Sequence, residues 1–169
     1  GLKPAYFIFG EDVDLLYSAL NLIENACNIT MPDFNKVVLT GDFNMQEAIE
    51  SCQVLPIMDT KRLVVVKDYN GKATDSEKKY LQDYLNNPSM DTCFVMFATK
   101  SIPLFVSVLN KVEPVDCNKM SPETLSRVIV SKFGSFGKKI EKAALEYLID
   151  ACSGSYTAIS KEIDKLVSY

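Results

Sequence analysis

Catalysis needs nucleophiles, acids and ligands at workable spacings, and this chain lacks one common ingredient. None of its 169 residues is histidine. That removes Ser-His-Asp and Cys-His catalysis and nearly every metal site built on imidazole. The five cysteines, Cys27, Cys52, Cys93, Cys117 and Cys152, are widely spaced and form no Cys-x-x-Cys pair. They argue against a disulfide framework and for a reducing cytosol. Cys52 and Cys93 adjoin apolar stretches and read as small core residues. The paired carboxylates, Glu11/Asp12 and Glu162/Asp164, read as helix caps and solvated faces. No catalytic residue, metal ligand or cofactor-binding residue is assigned.

A chain that handles nucleoside triphosphates needs a phosphate cradle after its first strand, G-x-x-x-x-G-K-[ST]. Here the corresponding stretch is "FGEDVDLLYSAL". Gly10 is present, but no Gly-Lys-Ser/Thr follows it. Glu11, Asp12 and Asp14 stand there instead, suiting a helix N-terminus but repelling a triphosphate. The third apolar run, "LVVVKDYN", carries Lys67 where a magnesium-binding acid belongs, with Asp68 one step late. The other Gly-Lys, in "NGKAT" (70–74), follows a different strand and lacks the earlier glycine. "KFGSFGKK" and "DKLVSY" mix basic and aromatic residues, which allows stacking on nucleic acid. Packing of Phe133 and Phe136 in a helical turn is the simpler reading. A net charge of −4 also lacks the basic excess of a dedicated nucleic-acid module.

A different signal stands at "SCQVLPIMDTKR" (51–62), where Val54, Leu55, Pro56, Ile57 and Met58 form an apolar run just before a strand. Connections run over the surface and are usually polar. Either these side chains fold back onto their own domain, or they form an exposed knob for a partner. Both readings remain open on pattern alone. Asp59 and Lys61 mark the return to solvent.

The elements that would position these residues follow from short apolar runs: 5–10, 36–39, 62–67, 93–98 and, more weakly, 112–117. Helical patterns separate them. Leu16, Leu20 and Ile23 share a face over 12–26. Met45, Ala48, Ile49 and Cys52 do so over 44–53, and Tyr80, Leu81, Tyr84 and Leu85 over 75–86. Thr74 and Glu77 form a capping box. Alternating strands and helices imply a parallel sheet, and continuously apolar strands imply cover on both faces. From residue 118 the chain reads as helices only. Ser121 is the N-cap and Pro122 the first helical residue. Leu125, Val128 and Ile129 mark one helix. Ile140, Ala144, Tyr147 and Leu148 mark a second, and Tyr156, Ile159, Ile163, Leu166 and Val167 a third. The expected domains are 1–117, α/β, and 118–169, helical. No apolar run is long enough to span a bilayer.

Several blocks together resemble one family. They are "PAYFIFGEDVDLLYSAL", "CQVLPIMDTKRLVVVKD", "YLQDYLNNPSMDTCFVMFATK" and the closing "GSYTAISKEIDKLVSY", with Gly154, Glu162, Lys165 and Leu166 in its pattern. Over essentially its whole length the chain resembles the delta subunit of bacterial DNA polymerase III, part of the sliding-clamp loader. The resemblance implies an AAA+-like P-loop NTPase fold, a five-stranded parallel sheet flanked by helices without a functional P-loop, plus a small α-helical lid. It implies no ATP binding or hydrolysis in this chain, which would instead be one component of a DNA-directed DNA polymerase complex. It further implies contact with the beta sliding clamp through Leu55, Ile57 and Met58, with Pro56 as a shaping residue.

By the same resemblance, the gamma/tau and delta prime loader subunits are partners in the full-length protein. DNA is met mainly through the complex, no membrane is involved, and the setting is cytoplasmic, at the nucleoid during replication. The family's C-terminal collar domain and lead-in helix are expected to be missing, which would make this an N-terminal fragment. The competing readings are a catalytically inactive nucleotide-hydrolase-like scaffold and a nucleic-acid-binding module. An active nucleotide hydrolase and a generic α/β protein with a buried "VLPIM" complete the set.

Overall fold

A computed structural model describes all residues, Gly1–Tyr169, and in it the apolar runs become one sheet. β1 (Ala5–Phe9), β2 (Lys36–Thr40), β3 (Arg62–Lys67), β4 (Thr92–Ala98) and β5 (Glu113–Asp116) run parallel in the order β2-β3-β4-β1-β5. The connections hold α1 (Val13–Cys27), α2 (Pro32–Asn35), α3 (Met45–Gln53), α4 (Asp75–Asn86) and α5 (Pro103–Val106). Successive residues of a strand face opposite ways. Val64 and Val66 therefore pack with Phe7, Phe94 and Met96 against α3, α4 and α5. Leu63 and Val65 pack with Ile8, Val95 and Phe97 against α1. Cover on both faces is why the strands lack alternation.

β5 differs. It lies at the sheet edge, and Pro114 stands within it opposite Phe7. A residue without a backbone N–H is tolerated there and not in a central strand.

Local chemistry sets the helix starts. Asp12 caps α1 by accepting from the Leu15 N–H at 3.1 Å. Thr74 and Glu77 form the expected capping box at α4. Tyr80 is a correction: it is exposed, because α4 buries only the narrower stripe of Leu81, Tyr84 and Leu85. α2 and α5 are four-residue helices opened by proline, too short to leave a periodic pattern.

The chain forms two compact units, Gly1–Cys117 and Asn118–Tyr169. The second holds α6 (Pro122–Ser135), α7 (Lys142–Ala151) and α8 (Tyr156–Val167). Its core is Leu125, Ile129, Phe133, Leu148, Ile159 and Ile163. Lys132 of α6 pairs with Asp164 of α8 at 2.8 Å. Ala144, Tyr147 and Leu166, expected in this core, are exposed. α7 turns Leu145, Leu148 and Ile149 inward instead of Ala144 and Tyr147, and α8 buries Ile159 and Ile163 with Tyr156 and Val167 packed beside them, leaving Leu166 outside. The displaced residues line an apolar groove of about 740 Å³. Phe133 is buried, whereas Phe136, just past the end of α6, is half exposed. No helix of either unit is long and apolar enough to cross a membrane.

Candidate functional site

The segment between α3 and β3 is built from the end of α3 outward. Val54 leaves the helix in an extended conformation, and Pro56 prevents resumption by lacking an N–H. A helix ends with carbonyls that have no internal partner. Here Arg62 Nε donates to the Ser51 carbonyl at 2.8 Å, and Thr92 Oγ1 donates to that of Cys52 at 2.8 Å. The buried guanidinium also complements the negative end of the helix dipole. Its NH1 group reaches the Phe34 carbonyl at 2.5 Å, tying α2 to the same base.

On that base the apolar run projects outward. Leu55 is 69% exposed, Ile57 48% and Met58 87%. Pro56 is half-buried between them. The reading in which these side chains fold into the core is therefore wrong.

Their backbone, by contrast, is held. Asn35, the last residue of α2, is fully buried. Its Oδ1 accepts from the Ile57 N–H at 2.7 Å. Its Nδ2 donates to the Ile57 carbonyl at 2.8 Å and to Asp59 Oδ2 at 2.7 Å. Asp59 also accepts from the Thr30 hydroxyl at 2.5 Å and from the Thr30 and Met31 N–H groups at 3.1 Å each. Chiefly through the Thr30 hydroxyl, this holds its carboxyl down at about 2. Between the two anchored residues Met58 has φ +59°, a left-handed conformation uncommon outside glycine and sustained only where the surroundings over-determine it. Asp59 and Lys61, expected merely to meet solvent, are structural. The Lys61 ammonium donates to the Met90 carbonyl, and the Arg62 N–H donates to that of Asp91 at 2.8 Å.

At the opposite, carboxyl end of the sheet, charged side chains are engaged within the protein. Asp12 is spent on capping, its N–H donates to the Cys117 carbonyl at 3.0 Å, and the Cys117 N–H donates to Phe9 at 2.7 Å. Lys67 lies over the rings of Tyr17 and Phe97, 5.0 and 5.4 Å from their centroids. Asp68 Oδ1 accepts from the Thr99 N–H at 2.8 Å and hydroxyl at 2.9 Å. The acids weighed as metal or phosphate partners are thus not brought together. No group of three or more Cys, Asp or Glu side chains is arranged to hold a metal ion.

Sequence reasoning missed Asn35, Thr92 and the bracing by Asp59. Asn35 acts on a residue 22 positions away, and no local pattern reports such a bond. One visible signal is Arg62, a charge immediately before the apolar run Leu63–Val66.

Comparison with known proteins places this geometry in context. A family model described as DNA polymerase III, delta subunit, matches residues 6–111. DNA polymerase III subunit delta of Bacillus subtilis (strain 168) is 22% identical over 99% of this chain and 52% of its own length. The solved structure of the Bacillus subtilis DNA clamp loader delta protein matches with a TM-score of 0.80 at 22% identity. That match covers 99% of this chain and 53% of the other. A DNA polymerase III gamma subunit-related protein from Thermotoga maritima matches with a TM-score of 0.51 at 18% identity, over 81% of this chain and 48% of its own. The chain spans about half the length of these relatives.

Proposed function

The chain belongs to the DNA polymerase III delta-subunit family, and from that premise we propose that it binds the beta sliding clamp through Leu55, Ile57 and Met58. Pro56 shapes the turn between them. The observation that carries this reading is an apolar run displayed to solvent on a hydrogen-bonded base. Isolated exposed apolar residues are ordinary. Three on one short loop, with the backbone between them fixed, suit insertion into a groove on another protein.

In this reading Gly1–Cys117 is the AAA+-like domain and Asn118–Tyr169 its helical lid. The chain carries no catalytic step, and ATP is used by neighbouring loader subunits of the gamma/tau and delta prime type. DNA is met through the assembled complex, in the cytoplasm. Burying the three side chains contributes roughly 1.5–3 kcal/mol each. Association costs at least about 4 kcal/mol, so rim contacts must add to a modest surplus. Ring opening follows if the knob fits a distorted clamp better than a closed one, since a ligand shifts an equilibrium only by its differential affinity.

The test is calorimetric titration of the sliding clamp with this protein and with its Leu55→Ala/Ile57→Ala/Met58→Ala variant, checked for native circular dichroism. Binding by the parent and none by the folded variant is expected. Equal binding by both would remove the knob from the interface.

A further inference from the structure

We propose that Asn35 is a positioning residue for this contact: it fixes the conformation in which Leu55, Ile57 and Met58 are presented, without touching the clamp itself. The inference rests on the reading of that loop as the clamp contact. The backbone of residues 54–60 runs outside helix and sheet. A loop of that kind, left free, loses conformational freedom when it binds, and pre-ordering it removes that loss from the binding step.

The Asn35 carboxamide does for Ile57 what a neighbouring strand would do, accepting from its N–H at 2.7 Å and donating to its carbonyl at 2.8 Å. The second Nδ2 hydrogen fixes Asp59. Met58 is thereby clamped on both sides in its left-handed conformation. The chemistry is specific. Aspartate offers no donor when ionised, and alanine offers neither donor nor acceptor. Asn35 is also the only buried residue of α2, so this four-residue helix contributes nothing else to the core. Because Asn35 is fully buried, it does not reach a partner itself, and its side-chain bonds run to Ile57 and Asp59 of the loop.

The experiment compares Asn35→Ala, Asn35→Asp and the triple apolar variant by clamp calorimetry and by amide hydrogen exchange at position 57 and at Val64 in the core. Asn35→Ala should release the Ile57 amide, leave Val64 protected and weaken clamp binding about tenfold or more. The triple variant should lose binding while its position-57 amide stays protected, which separates presentation from contact. Asn35→Asp keeps the acceptor and is isosteric, so it serves if Asn35→Ala does not fold. Two charged groups face that position. The Asp59 carboxylate raises the pKa of a buried aspartate there, and Arg62, bonded to the Phe34 carbonyl, opposes the rise.

Protonation restores a donor, so binding by Asn35→Asp relative to the parent should recover as pH falls from about 7.5 to about 5.5. A folded Asn35→Ala protein with a released Ile57 amide and clamp affinity within about twofold of the parent overturns the proposal. Parent-like binding by the folded triple variant sinks the clamp reading itself, whatever Asn35 does.

Discussion

The two ends of the sheet present opposite surfaces. Open α/β sheets ordinarily bind ligands outside the carboxyl ends of their strands. Here three charged side chains at that end have partners inside the protein: Asp12 caps a helix, Lys67 rests on two rings, and Asp68 holds Thr99. At the amino end, the entry to β3 displays Leu55, Ile57 and Met58 on a base made by Arg62, Asn35 and Asp59. The same core thus carries engaged polar groups at one end and displayed apolar side chains at the other. What changes is which polar groups are spent internally and which apolar ones are left out.

Two methionines give the strongest way to break that contrast. Met96→Ala removes a fully buried side chain between the two ends and should cost about 2–5 kcal/mol of folding stability by urea denaturation. Met58→Ala should change stability by less than about 0.5 kcal/mol and clamp affinity by about 2 kcal/mol. A Met58 variant that unfolds easily yet binds normally would turn the displayed loop into a packing element.

At the carboxyl end, Lys67→Ala should lose about 0.5–1 kcal/mol of stability, the worth of a surface cation–π contact, and leave clamp binding untouched. If calorimetry shows weaker clamp binding, the two ends are coupled and the contrast fails.

The smallest effect is that of pH at Asp59. Its folded pKa, about 2, lies below the ordinary value near 3.9. The contribution to stability is thus complete above about pH 4 and is lost as pH falls through about 2. Urea midpoints of the parent and Asp59→Asn should differ by a constant amount from about pH 8 to 5, and the difference should shrink below about pH 4. A constant difference down to pH 2 would mean that the carboxylate is not what holds Thr30 and Met31.

Much of the scaffold was legible for physical reasons. Strands covered on both faces leave uninterrupted apolar runs, as in "RLVVVK" and "CFVMFA". Helix starts announce themselves through capping residues such as Thr74 with Glu77 and Ser121 before Pro122. Where a helix has apolar residues on more than one side, periodicity does not choose the buried face. That is why the pattern of the sequence points Tyr147 and Ala144 inward, whereas Leu145 and Ile149 pack there. The run at 54–58 was visible, but whether it is displayed or buried depends on what lies beneath it. Asn35 and Thr92 reach it from distant positions, and such long-range polar bonds have no period to read. The absence of a phosphate cradle was plain from Gly10 to Asp14. How Lys67 and Asp68 are spent instead was not.

Pro114 has a consequence for solubility. The Cys117 N–H points to β1, and strand residues alternate, so the N–H groups of residues 115 and 113 point the same way. Pro114 therefore stands where an N–H would point away from the sheet. A stray strand approaching that margin would find a missing donor, in a strand of only four residues flanked by Glu113 and Asp116. Short edges carrying proline and charge resist annealing with other sheets. On that side, the chain is guarded against aggregation when crowded among proteins of its own architecture.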